Sequence, residues 1–237
     1  MHRLSSFVAV GALVAFGGSG CGLISSDASV ALDLPAQTFT VDSSGWQVGS
    51  AADVFLSTTC DPSTPSPNVC SSAVAQACAT NCSGSCDATA HTCDLALDVA
   101  AYQTIDLLSD QPTLQSLADH TGVTVSIDSV YYQIVDNSLN IATPPLTLYV
   151  GPMAATHPSD AGAVAIATID PVPAGVVVAS TQLQFLANGQ AALEAAIGDL
   201  QDPFNVIVGG TITLEAGDAS PTGKLDASVQ INAHATP

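Results

Sequence analysis

The sequence predicts an all-β protein, an antiparallel β-sandwich with one or two short helices and a disulfide-rich insertion. Three observations predict it. Apolar and polar residues alternate with a period of two over many short segments, which marks strands with one buried face. Gly, Pro, Asp and Asn cluster between those segments as turn formers. Six of the seven cysteines are gathered between Cys60 and Cys93, and alternation stops just before that cluster and resumes just after it. Many strands, few helices and frequent turns are the pattern of two packed antiparallel sheets.

The first strands are expected at 30–34 (Val-Ala-Leu-Asp-Leu) and 39–41, and the pattern returns at 95–99 after the cysteines. Further strands are expected over 124–135, 146–150, 163–169 and 176–185, and the chain closes with 204–208, 211–214 and 224–233. Turns are expected at 136–138, 143–145, 171–175, 208–210 and 217–223. Ser71 and Ser72 read as the cap of a short helix that puts Cys78 and Cys82 one turn apart on one face. Pro112 near the first turn of 111–119 marks a second short helix. A third, over 190–198, places Ala192, Leu193, Ala196 and Ile197 together. The expected organisation is one sandwich domain over 28–237, with a Cys-rich insertion at about 57–94.

The N-terminus has a different character. A positively charged lead with Arg3 precedes an apolar run over 4–16, then Gly17, Gly18, Ser19 and Gly20, then Cys21. These are the three parts of a secretory signal peptide, expected over 1–20. The apolar run is shorter than the ~20 residues a membrane-spanning helix needs. Small residues ending at Cys21 resemble the lipobox of bacterial lipoproteins, with Gly18 where that family prefers leucine. The resemblance implies cleavage before Cys21, a diacylglycerol thioether on its sulfur and acylation of the new amino group. Residues 21–27 then form a lipidated tether, and the protein partners a membrane through Cys21. In that family an aspartate after the cysteine accompanies inner-membrane retention; Gly22 stands here, which implies an outer-membrane lipoprotein.

An odd cysteine count in an exported chain needs a reason. Lipidation of Cys21 leaves Cys60, Cys70, Cys78, Cys82, Cys86 and Cys93 for three disulfides in an oxidising compartment. Zinc is disfavoured, because no CxxC pair occurs and His91 stands alone nearby. Six cysteines allow 15 connectivities. Since neighbours on one helix face reach other segments more easily than each other, Cys78, Cys82 and Cys86 are expected to pair with Cys60, Cys70 and Cys93.

The formal charge is −19, from 21 acids against Arg3 and Lys224. Nucleic-acid binding needs clustered Lys and Arg and is excluded. Attraction to anionic head groups is disfavoured on the same ground. Calcium is the one cofactor the composition leaves open, through carboxylate and carbonyl oxygens. Asp136-Asn137 and the acids over 199–202 read first as turn formers. Trp46, Tyr131 and Tyr132 lie in alternating segments, as core residues or as a sugar-stacking surface. The histidines His91, His120, His157 and His234 are widely spaced, and no HExxH, GxSxG or phosphate-cradling glycine motif is present.

Residues 137–140 (Asn-Ser-Leu-Asn), 144–150 (Pro-Pro-Leu-Thr-Leu-Tyr-Val) and Pro173-Ala174-Gly175 before a strand, followed by a helix and a strand pair, resemble late-embryogenesis-abundant, water-stress-type domains. That resemblance, over roughly 123–233, implies an immunoglobulin-like sandwich without enzymatic activity. The leading expectation is a non-enzymatic, lipid-anchored envelope protein with a structural or protein-binding role and an envelope or extracellular protein partner. A calcium- or glycan-binding surface module is the alternative, and a secreted hydrolase the third.

Overall fold

The computed structural model describes residues 29–64, 68–115 and 124–236. Among the described residues, ten strands form two antiparallel sheets face to face. The first contains β1 (Val30–Asp33), β2 (Gln37–Asp42), β5 (Thr124–Asn137), β8 (Val178–Gln182) and β10 (Lys224–Thr236). The second contains β3 (Cys82–Cys86), β4 (Cys93–Ile105), β6 (Leu146–Pro152), β7 (Val164–Ile169) and β9 (Phe204–Leu214). The all-β sandwich expected from alternation is the observed fold.

In the first sheet the order is β1-β10-β5-β8. β1 and β2 lie end to end along one edge of β10, pairing with residues 232–235 and 224–229. The break falls at Pro35, which has no N–H for a ladder, and Gln230 Nε2 donates to the Leu34 carbonyl at 2.5 Å. The second sheet runs β3-β4-β9-β6-β7. Leu32, Phe39, Val130, Val229 and Ile231 from one sheet meet Leu95, Leu97, Leu148, Val206 and Ile212 from the other in one buried core. Hydrogen bonds also join the sheets along one side: Trp46 Nε1 donates to Asp98 O at 2.8 Å and Gln103 Nε2 to Thr38 O at 2.9 Å. On the other side the segment after β8 crosses over, Leu183 N bonding Val130 O and Leu186 N bonding Ile166 O.

Several local expectations change. Residues 208–210 are not a turn: β9 runs unbroken through Gly209 and Gly210. The glycines serve close approach, because a Cβ on Gly209 would collide with the Pro158 ring and one on Gly210 would lie 2.8 Å from Leu146 Cδ2. The connection over 153–163 covers the outer face of β9 there, so Ile207 is buried along with Val206 and Val208. Four short helices are present among the described residues: α1 (Ala52–Leu56), α2 (Val69–Ala77), α3 (Leu107–Asp110) and α4 (Gly189–Gly198). The expected helix after Gln111 begins as a 3₁₀ turn over Pro112–Leu114 and then leaves the described residues. The cap of α2 is Asn68, three residues earlier than expected. Its side chain accepts from Ser71 N while Ser71 Oγ accepts from Asn68 N, a reciprocal capping box.

Candidate functional site

The segment 57–94 brings all six clustered cysteines to one end of the second sheet, as three disulfides. The pairs are Cys60–Cys86, Cys70–Cys93 and Cys78–Cys82. The expectation that Cys78 and Cys82 both reach other segments is therefore corrected. α2 ends at Ala77, and Cys78 is already extended at φ −151° and ψ 137°. Asn81 at φ 53° reverses the chain, so Cys82 opens β3 instead of continuing the helix. The two sulfurs then face each other across a five-residue turn. Trp46 O and Thr80 O both lie within 3.1 Å of Cys78 Sγ.

Each bridge fastens a different pair of elements. Cys70–Cys93 ties the first turn of α2 to the start of β4, and both residues are completely buried. Cys60–Cys86 ties the loop after α1 to the end of β3, beside the Thr59–Thr92 bridge. β3 pairs with β4 along its whole length, Cys82 opposite Leu97 and Cys86 opposite Cys93. The segment thus supplies an edge strand of the second sheet as well as a surface module. Gly84 makes this possible: a Cβ there would lie 2.6 Å from Cys70 O and 2.9 Å from Phe55 Cζ, so only glycine lets α2 and α1 rest on β3.

The module's acids are held by turns. Asp87 Oδ1 accepts from Thr89 N at 2.5 Å and from Ala90 N, and these bonds hold its carboxyl below the ordinary range. Asp61 accepts from Ser63 N and Ser63 Oγ at 2.9 and 2.7 Å, with the same effect. Asp94 is pushed the other way, by burial first and then by Asp87 and Glu215 nearby. Val54 on α1 and Val69 on α2 are exposed, and Val69 lines a hollow of about 250 Å³ with Thr59, Cys60, Asp61, Thr64 and Asn68. Chemically this surface is rigid, acidic and dotted with apolar side chains, suited to contact.

The other singled-out residues fall elsewhere. Trp46 and Tyr132 are core residues, and Tyr131 is half-buried, so no sugar-stacking platform forms from the three. His91 is exposed at φ 57° in the turn over 87–91. His157 Nδ1 lies 3.7 Å from Asp160, and His234 Nδ1 2.9 Å from Asp128, far apart in sequence and on separate elements. His120 and Cys21 lie outside the described residues. Asp136 precedes Asn137, whose buried amide donates to Pro173 O and Val176 O and accepts from Leu139 N. Asp202 N bonds Asp199 O in a turn. Among the described residues, the one group of three metal-capable side chains with ligand atoms within 4.8 Å is Cys60, Cys70 and Cys93, whose sulfurs are in disulfides. No described helix is long and apolar enough to cross a membrane.

The loop staples were not visible in the sequence. Asn205 is fully buried on β9, donating to Met153 O and Ala155 O at 3.0 and 2.7 Å and accepting from Thr104 Oγ1 at 2.6 Å. Its place in the expected strand over 204–208 is legible, but the two carbonyls it holds lie some 50 residues away in sequence. No family model matches the chain, and no curated protein matches it.

Proposed function

We propose that the chain is exported, cleaved before Cys21 and anchored to the outer membrane by lipid on that cysteine. On this reading it presents the sandwich and its stapled module to a protein partner in the bacterial envelope, and it catalyses no reaction. The observation that carries this is the cysteine pairing: three disulfides use all six clustered cysteines and leave Cys21 as the odd one. Three bridges call for an oxidising compartment, and the residues over 1–20 supply the route there. Two or three acyl chains, at ~0.8 kcal/mol per buried CH₂, give an effectively permanent anchor. Contact is the role that suits the module, since recognition concentrates in loops held by a rigid scaffold.

Membrane fractionation of cells producing the wild-type chain and Cys21→Ser tests the anchor. The wild-type protein is expected in the membrane fraction, resistant to salt extraction, and the variant in the soluble exported fraction with its disulfides intact. Equal distribution of the two proteins would contradict the reading.

A further inference from the structure

An apolar cleft of about 620 Å³ opens between α4 and the ends of β6 and β7, on the opposite side of the second sheet's order from the module. Phe204 is its buried floor, and Met153 and Val164 stand on its walls, 60% and 44% exposed. α4 contributes Ala192, Ala195 and Ala196, which share one helix face with Asp199 because they sit three, four and seven residues apart. Small side chains on that face leave the space open. The size and the apolar lining are those of small-molecule sites, which run about 300–1,000 Å³.

The walls are held by the chain's own hydrogen bonds. Asn205 fixes the Met153 and Ala155 carbonyls from below. Glu194 Oε1 accepts from Ile127 N at 3.1 Å and Gln190 Nε2 at 2.9 Å, which locks α4 against β5 beyond the end of β8. A preformed site spends little of its binding energy on ordering itself.

One end of the cleft is strongly negative. α4 points its C-terminus there, with the partial negative charge of its last carbonyls, and no basic residue lies in its last turn. Asp199 and Asp202 stand at the same end. Lys224, the one Lys or Arg after Arg3, is engaged with Asp226 at 2.6 Å and does not neutralise this end. An apolar trough ending in two carboxylates and a helix C-terminus complements one chemistry. We propose that this cleft binds a small amphiphilic cation, its apolar body against Met153, Val164 and Ala195 and its positive group at Asp199 and Asp202. This site is independent of the module and of the anchor.

The test titrates a decyl trimethylammonium salt, below its micelle concentration, into the full chain carrying Cys21→Ser, with decyl sulfate as the control. Calorimetry and backbone NMR shifts read the binding. The ammonium compound is expected to bind with shifts centred on α4 and 150–164, and the sulfate not to bind. Asp199→Asn with Asp202→Asn should weaken the ammonium about fivefold, as expected for exposed charge pairs. Ala195→Trp, at an exposed position, should abolish binding without lowering the melting temperature; Met153→Ser, also exposed, should weaken it if the tryptophan perturbs the fold. Equal affinity for the sulfate, or ammonium binding unchanged by both apolar variants, overturns the proposal.

Discussion

Asn137 and Asn205 fasten loops to strands and Asn140 joins two loops through their side-chain amides, each donating to backbone carbonyl oxygen and accepting from a backbone N–H or a hydroxyl. A buried amide so satisfied is costly to truncate, because its partners stay buried without it. Asn205→Ala is expected to destabilise the fold by on the order of 2–3 kcal/mol, read in urea unfolding, and to loosen the Met153 wall. The acids at turns act differently. Asp160 accepts from Thr156 N and His157 N at 2.8 and 2.9 Å, and these bonds lower its pKa. A lowered folded pKa gives stability that is present above the ordinary aspartate range and lost as pH falls through the folded value. Asp160→Asn should therefore melt lower than wild type at neutral pH, with the gap closing as pH falls below that range. The sequence marks Asp136 and the acids over 199–202 as turn formers, since local side-chain bonds favour aspartate there, and Asp160 is one more that the structure adds. It could not show which asparagine is buried, because that depends on a chain segment some 50 residues away.

At the scale of elements, alternation marks β5 and β10 over most of their length, because one face packs on the core, but it marks only 95–99 of β4, whose 100–104 stretch loses the pattern. β3 was illegible: its sequence, Cys-Ser-Gly-Ser-Cys, carries no apolar residue but cysteine, and disulfides rather than burial place it. β9 was split in two by a glycine pair that proved to be a packing device. α1 is five residues long, too short for periodicity to mark. Of the bridges, Cys60–Cys86 fits the expected partition, whereas Cys78–Cys82 and hence Cys70–Cys93 depart from it because the helix stops at Ala77 instead of running on through Cys82. The three bridges should contribute unequally. In the loop-entropy account, Cys78–Cys82 closes a loop of separation 4 and is worth about 2 kcal/mol. Cys60–Cys86 and Cys70–Cys93, of separation 26 and 23, are worth about 3.5 kcal/mol each. Pairwise replacement by alanine, followed by thermal melting, should rank Cys78–Cys82 as the mildest loss. Cys70–Cys93 should be the most severe, because both residues are completely buried where α2 meets the start of β4.

Across the whole molecule, a formal charge of −19 on a compact sandwich sets strong self-repulsion, and Lys224 offsets it at one place only. Salt screens such repulsion over a Debye length of about 8 Å at physiological strength. The melting temperature should therefore rise with sodium chloride from low to physiological concentration; a flat or falling response would mean the charges are already neutralised by bound cations. The sandwich was legible because alternation and turn chemistry agree over most of the chain. The cleft beside α4 was not, because its walls come from residues 150–164 and 192–204, which only the fold brings together. The central claim, an exported protein with one lipidated and six paired cysteines, meets its most direct check in the intact mass of the protein purified from its native membrane. The expected mass is that of a chain beginning at Cys21, lighter by two hydrogens for each of three disulfides and heavier by the diacylglycerol and acyl groups. A mass that lacks any acyl addition, or a chain that still begins at Met1, contradicts it.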